Sequence, residues 1–126
     1  MIGGRVLDAS AVIAFAAGHS VYAAALVWTA VEEAIVLSLP STAVASAWSA
    51  LREKDHPVLE VLLQLPVAVT DDLTAARARA VGAMGGDQLH AHALLCARER
   101  GWALVTAEAG SYSGVELAGV ELEPLP

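Results

Sequence analysis

Apolar residues in this chain fall into short runs that alternate between β-branched segments and longer, helix-like ones. Arg5-Val6-Leu7-Asp8 reads as a strand over 5–8 that ends in an acid. Ser10 begins a short buried helix over 11–17, and Gly18 stops it. Ser20 caps a helix over 21–33, and the run 34–39 before Pro40 is a second strand. Ser41 or Thr42 caps a helix through Trp48 and Leu51 to Lys54, and Pro57 sits in the first turn of another over 58–64. A third strand over 67–69 follows Pro66. Asp71 or Asp72 caps a helix over 73–81 that stops in the loop of Gly82, Gly85 and Gly86. Asp87 opens a long helix to Arg100 that Gly101 closes, and a fourth strand runs over 103–106. A turn or short helix over 109–113 precedes a last strand at 120–122, and Pro124 and Pro126 make a stiff end. No repeat, low-complexity tract or linker interrupts this order. Strands and helices alternating over the whole length predict one α/β domain over 1–126, three layers (α/β/α) around a central parallel sheet.

Composition narrows the partners. Hydrophobic residues make up 56% and aromatics 5% of 126 residues, so Ala, Val and Leu must build the core. Seven Lys and Arg face 14 Asp and Glu, a formal charge of -7, and such a surface repels phosphate at long range. A local basic patch or bridging metal ions could offset that repulsion. Arg77, Arg79, Arg98 and Arg100 are the candidates for the patch, with a solvated helix face as their plainer role. Cys96 is the only cysteine, which excludes an intrachain disulfide and fits a reducing cytosol. The apolar stretch 11–31 invites a membrane or signal-peptide reading. Asp8 precedes it, Gly18, His19 and Ser20 break it, and only Arg5 supplies positive charge. It therefore reads as two short buried elements of a cytoplasmic protein, with no membrane span.

In a parallel sheet, ligands gather at the carboxyl ends of the strands. Asp8 follows the first strand, Glu108 follows the fourth, and Asp87 opens the helix leading into the fourth. Three carboxylates converging on one edge would repel one another and have raised pKa values unless a cation sat between them. Mg²⁺ or Mn²⁺ suits oxygen ligands, keeps waters that a phosphate can displace, and can activate water against a phosphodiester. Asp8 and Asp87 could equally be N-caps, and Glu108 a loop residue. His90 and His92 stand two apart on a helix, so they face different ways and do not form a zinc pair. His90 lies one turn past Asp87, where it could support the acids. The glycines of 82–86 lack the Gly-Lys-Ser/Thr of a phosphate loop. Ser10 can bond Asp8 or a metal-bound water, or simply cap. Trp28, Trp48 and Trp102 fall on apolar segments and read as core or dimer-interface anchors rather than base-stacking platforms.

Two stretches carry a resemblance. Val6-Leu7-Asp8-Ala9-Ser10-Ala11-Val12-Ile13 resembles the opening of PIN domains, where a strand delivers the first metal-binding Asp and a Ser or Thr follows two places on. Asp87 through Ala97-Arg98-Glu99-Arg100-Gly101-Trp102-Ala103-Leu104-Val105-Thr106 resembles the PIN segment in which an acid opens a helix that leads through a Gly to the strand before the final site loop. The likeness covers nearly the whole chain in element order. It implies an α/β/α fold, cleavage of RNA dependent on Mg²⁺ or Mn²⁺, and often the toxin role in VapBC-type pairs, with an antitoxin partner. Asp8 would be the first metal-site acid and Asp87 the third, while Glu108 falls where many members have a fourth. The chain departs from the pattern once. In Pro40-Ser41-Thr42-Ala43-Val44-Ala45-Ser46-Ala47-Trp48, Ser46 stands where the family places a Glu, and Glu53, two turns further on, is a poor substitute. A hydroxyl cannot replace a carboxylate's charge, so metal affinity should fall. Two functions are therefore expected in competition: a metal-dependent endoribonuclease with Asp8, Asp87 and Glu108 holding the metal, or a catalytically degenerate fold that binds protein or RNA. A homodimer is expected from the Ala- and Val-rich helices, which must bury their faces somewhere.

Overall fold

Residues 3–126 are described by the structure, a computed structural model. The order is β1 (Gly4–Leu7), α1 (Ala9–Ala16), α2 (Val21–Glu33), β2 (Val36–Pro40), α3 (Ser41–Ala50), α4 (His56–Gln64), β3 (Ala68–Asp71), α5 (Ala75–Met84), α6 (Gln88–Arg100), β4 (Ala103–Thr106) and β5 (Leu122–Pro124). Short 3₁₀ turns occupy Glu53–Asp55 and Ala109–Tyr112. The five strands form one sheet in the order β3-β2-β1-β4-β5, and every pairing is parallel. The fold is α/β with helices on both faces, as the alternation of elements predicts.

Strand residues point alternately to the two faces, which divides the core. Leu7, Leu37, Leu39 and Val105 face α1, α2, α3 and α4, where they meet Val12, Val27, Ala47, Leu59 and Leu62. Val6 and Leu104 face the other way, against Ala93, Leu94, Cys96 and Ala97 of α6. Both faces are covered, which is why the central strands are mostly apolar, with Ser38 of β2 a buried exception. Small residues let the helices sit close: Ala11, Ala16, Ala30, Ala47, Ala93 and Ala97 are all buried.

Several element ends follow from caps. Ser20 Oγ accepts from Ala23 N–H at the start of α2, Asp8 Oδ1 from Ala11 N–H at the start of α1, and Asp87 from Leu89 and His90 N–H at the start of α6. Gly101 closes α6 at φ 70°, a conformation that favours glycine.

Other ends differ from the sequence expectation. Helix α3 stops at Ala50, because Leu51 turns extended to reach the core, so Lys54 lies in the following 3₁₀ turn. Ser41 makes no cap for α3; its hydroxyl accepts from Leu73 N–H at 3.0 Å. Thr74, not Asp71 or Asp72, caps α5. Asp71 instead belongs to β3, drawn in by an ion pair described below. The last strand runs two residues later than expected, at Leu122–Pro124, on an edge where a proline is tolerated.

No described helix is long and apolar enough to cross a membrane. Taken together, α1 and α2 have the length and composition, but they meet at 95°. Both send residues into the core: Ala11, Val12 and Ala16 from α1, Ala23, Val27 and Ala30 from α2.

Candidate functional site

The parallel sheet brings the ends of β1 and β4 side by side. Leu7 pairs in register with Val105, and Asp8 N–H donates to Val105 carbonyl at 3.2 Å. Beyond that register lie Asp8 on one strand and Thr106, Ala107 and Glu108 on the other. A hollow of about 190 Å³ opens there, lined by Asp8, Ser10, Ile13, Ser46, Leu89, His90 and Glu108. Ser46, on α3, therefore stands in the same hollow as Asp8 and Glu108.

Hydroxyl groups organise its floor. Ser10 Oγ lies 2.6 Å from Asp8 Oδ1 and donates to it. The single Ser10 hydroxyl proton is thereby used, so Thr106 must donate across the 3.1 Å contact between the two hydroxyls. Ser10 Oγ also accepts from Ala107 N–H at 2.9 Å, and Thr106 Oγ1 accepts from Glu108 N–H at 3.0 Å. These bonds fix the loop after β4 and so the position of Glu108. Ser111 Oγ adds a long contact of 3.4 Å to Glu108 Oε2.

Asp8 is 4% exposed, and protein donors meet both of its oxygens. Oδ1 accepts from Ser10 Oγ and Ala11 N–H; Oδ2 accepts from Tyr112 Oη at 2.8 Å. Burial pushes the Tyr112 phenol well above its usual range, and the Asp8 charge and hydrogen bond push the same way. The phenol hydroxyl is the donor in its bond to Asp8. Its ring lies 4.5 Å from that of His90, tilted by 42°. Nothing in the sequence marked Tyr112, since it reaches Asp8 across 104 positions of chain.

Asp87 stands apart from this hollow. It is exposed, one of its oxygens caps α6, and it lines a neighbouring hollow of about 220 Å³ with Met84, Leu94, Arg98, Val115 and Glu116. His90 borders both hollows. The structure thus brings Asp8 and Glu108 together and sets Asp87 beside them, across His90. Among the described residues, no three His, Cys, Asp or Glu side chains are disposed to hold a metal ion. Mg²⁺ and Mn²⁺ take open anionic oxygens, and of the carboxylates here Glu108 is the exposed one in the hollow with Asp8. Asp8 is engaged with protein donors, Asp87 caps a helix, and Ser46 carries no charge.

A second polar cluster lies under the edge of the sheet formed by β2 and β3. Arg100 Nε and Nη2 grip Asp71 Oδ2 and Oδ1, each at 2.7 Å, and Ser38 Oγ donates to Oδ2. The guanidinium holds the Asp71 carboxyl below its usual range, Ser38 adds to this, and burial opposes it. Nearby, His92 is buried on α6 with Nδ1 2.7 Å from Thr42 Oγ1, and its Nε2 has no hydrogen-bond partner among the described residues. Burial lowers the His92 pKa; Arg77 lowers it further, while Asp71 and Glu99 oppose this. Two of the four arginines considered for phosphate are therefore occupied: Arg100 by Asp71, and Arg77 by Glu99 at 3.0 Å. Arg79 and Arg98 make no ion pair among the described residues.

The tryptophans divide. Trp102 covers Gly4 and supports the Arg100 guanidinium, 4.9 Å from its ring centroid. Trp48 stacks at 4.0 Å on His56, whose Nε2–H donates to the Trp48 carbonyl. Trp28 is 70% exposed, so it is no core residue. With Val21, Ala24, Ala25 and Val31 it forms an exposed stripe on α2, opposite the buried Ala23, Val27 and Ala30, and residues 21–31 contain no charge. No protein-family model and no curated protein matches this chain.

Proposed function

We propose that this chain is a PIN-like domain that has given up nuclease chemistry and works in the cytoplasm as a protein-binding module. The observation that carries the reading is the condition of Asp8. Its carboxylate is bonded on both oxygens by Ser10, Ala11 and Tyr112, in a hollow where Ser46 stands at the position of an expected acid. A protein partner is favoured over RNA by two features. The net charge of -7 opposes phosphate, and two of the four arginines on α5 and α6 are spent on internal ion pairs. The uncharged stripe of α2 offers instead an apolar surface with an aromatic anchor, the kind of residue that dominates protein interfaces. An antitoxin-like protein or a second copy of this chain are the two occupants the resemblance and the composition suggest.

The second reading is a weakened Mg²⁺- or Mn²⁺-dependent endoribonuclease of the PIN toxin type. It is favoured by one observation: Asp8 and Glu108 share a hollow at the carboxyl edge of a parallel sheet, with Asp87 one hollow away. Incubation of end-labelled RNA with the purified chain in Mn²⁺ separates the two. The binding-module reading expects no cleavage above an Asp8→Asn control, and expects Ser46→Glu to raise metal affinity. Cleavage by the native chain that Asp8→Asn abolishes would overturn it. For the apolar stripe, Trp28→Glu should abolish any self-association or partner capture seen by sedimentation, with the melting temperature unchanged.

A further inference from the structure

We infer that the Tyr112 hydroxyl takes the place of a cation at Asp8, so that the end of β1 is closed by hydrogen bonds and gains nothing from a divalent metal. The inference shares the premise that Ser46 leaves the hollow one acid short, and it adds what compensates Asp8 instead. A buried carboxylate without partners is costly, and either a cation or protein donors must meet it. Here three donors do so: Ser10 Oγ at 2.6 Å, Ala11 N–H at 3.0 Å and Tyr112 Oη at 2.8 Å. The first two lie on the start of α1, close in sequence to Asp8, and both meet Oδ1. Only Tyr112 meets Oδ2, and it arrives on the same loop after β4 that places Glu108.

Tyr112 is poorly able to leave. It is 3% exposed and packs among Val6, Leu94 and Leu104 of the α6-side core, with His90 against its ring. A cation at Oδ2 would have to share that oxygen with this hydroxyl, or displace it and leave a buried donor unsatisfied. The turn Ala109–Tyr112 thus acts as a bolt between β4 and β1. Glu108 stays exposed at the mouth of the hollow, and Ser46, although it lines the wall, brings no charge to rival the phenol.

The test uses the full chain and Mn²⁺, followed by the loss of the free-ion paramagnetic resonance signal and by thermal melts in Mn²⁺ or EDTA. The wild type should show the same melting temperature in both and no saturable Mn²⁺ uptake. Ser46→Glu alone should bind weakly. Ser46→Glu combined with Tyr112→Phe should bind at least about tenfold more tightly, since one competing hydrogen bond is removed. A saturable rise of the wild-type melting temperature with Mn²⁺ would overturn the inference. So would a double variant that binds no better than Ser46→Glu. Should Tyr112→Phe prevent folding, the wild-type comparison decides alone. Mn²⁺ uptake by the wild type without RNA cleavage sinks this inference and leaves the binding-module reading standing; cleavage sinks that reading.

Discussion

Replacing Arg100 with Met isolates the ion pair that pulls Asp71 into β3. Arg100 holds both Asp71 oxygens at 2.7 Å, with the Asp71 side chain 10% and the Arg100 side chain 34% exposed. Breaking a fully buried pair costs about 3–5 kcal/mol, and a surface pair is worth about 0–1. One partner is buried and the other a third exposed, which places Arg100→Met at about 2 kcal/mol. For a chain of this length that is a fall of about 6–10 °C in melting temperature. The pH dependence gives the sign. Asp71 titrates below its ordinary 3.8 in the folded protein, so the unfolded chain takes up the proton first on acidification. The pair's stabilisation is therefore complete above 3.8 and is lost as the pH falls through the folded pKa. Circular-dichroism melts of wild type and Arg100→Met across the acid range should show the deficit at neutral pH and its shrinkage below 3.8. Adding Asp71→Asn to Arg100→Met should recover part of the loss, because the amide can still meet Ser38 without a buried charge. A deficit that is absent at neutral pH, or that persists unchanged in acid, would refute this account.

Three further outcomes can be checked. His92 is buried and its pKa is lowered from 6.5, chiefly by burial, so the unfolded chain protonates first. Its contribution is full above pH 6.5 and declines as the pH falls from there through the folded pKa; His92→Gln should flatten that part of the stability profile measured by urea titration. Burial pushes the Cys96 thiol up to about 12, so alkylation by iodoacetamide at pH 8 should be negligible in the folded protein and rapid in denaturant. A Cβ added at Gly4 would sit 2.5 Å from Trp102 ring carbons, so Gly4→Ala should displace the indole. It should lower stability by about 1–3 kcal/mol and shift the tryptophan emission, whereas Gly82→Ala, which meets nothing within 4 Å, should leave the emission unchanged.

The elements were largely legible along the chain because their signals are local. Ser20, Pro57, Asp87 and Gly101 mark helix ends through bonds or backbone angles that span a few residues. Alternating elements of this length leave a parallel sheet as the economical arrangement, and the structure has one. The nearness of Asp8 to Glu108 also follows once the sheet is parallel, since both terminate adjacent strands. Ser46 was singled out only by the family resemblance, and the structure sets it in the same hollow as Asp8. What pattern could not supply were contacts between distant positions. Asp71 reads as a helix cap until Arg100, 29 residues on, claims it for β3. Trp28 reads as a core or dimer-interface anchor, and only the packing, which buries the alanine side of the helix and turns the indole outward, excludes the core. Asp8 reads as either a helix cap or a metal-site acid; it does cap α1, and the bond it accepts from Tyr112, 104 residues away, could not be read from the sequence. Caps and strands are written in neighbouring residues, whereas the charge state and partners of a buried carboxylate depend on which remote side chains the packing delivers to it.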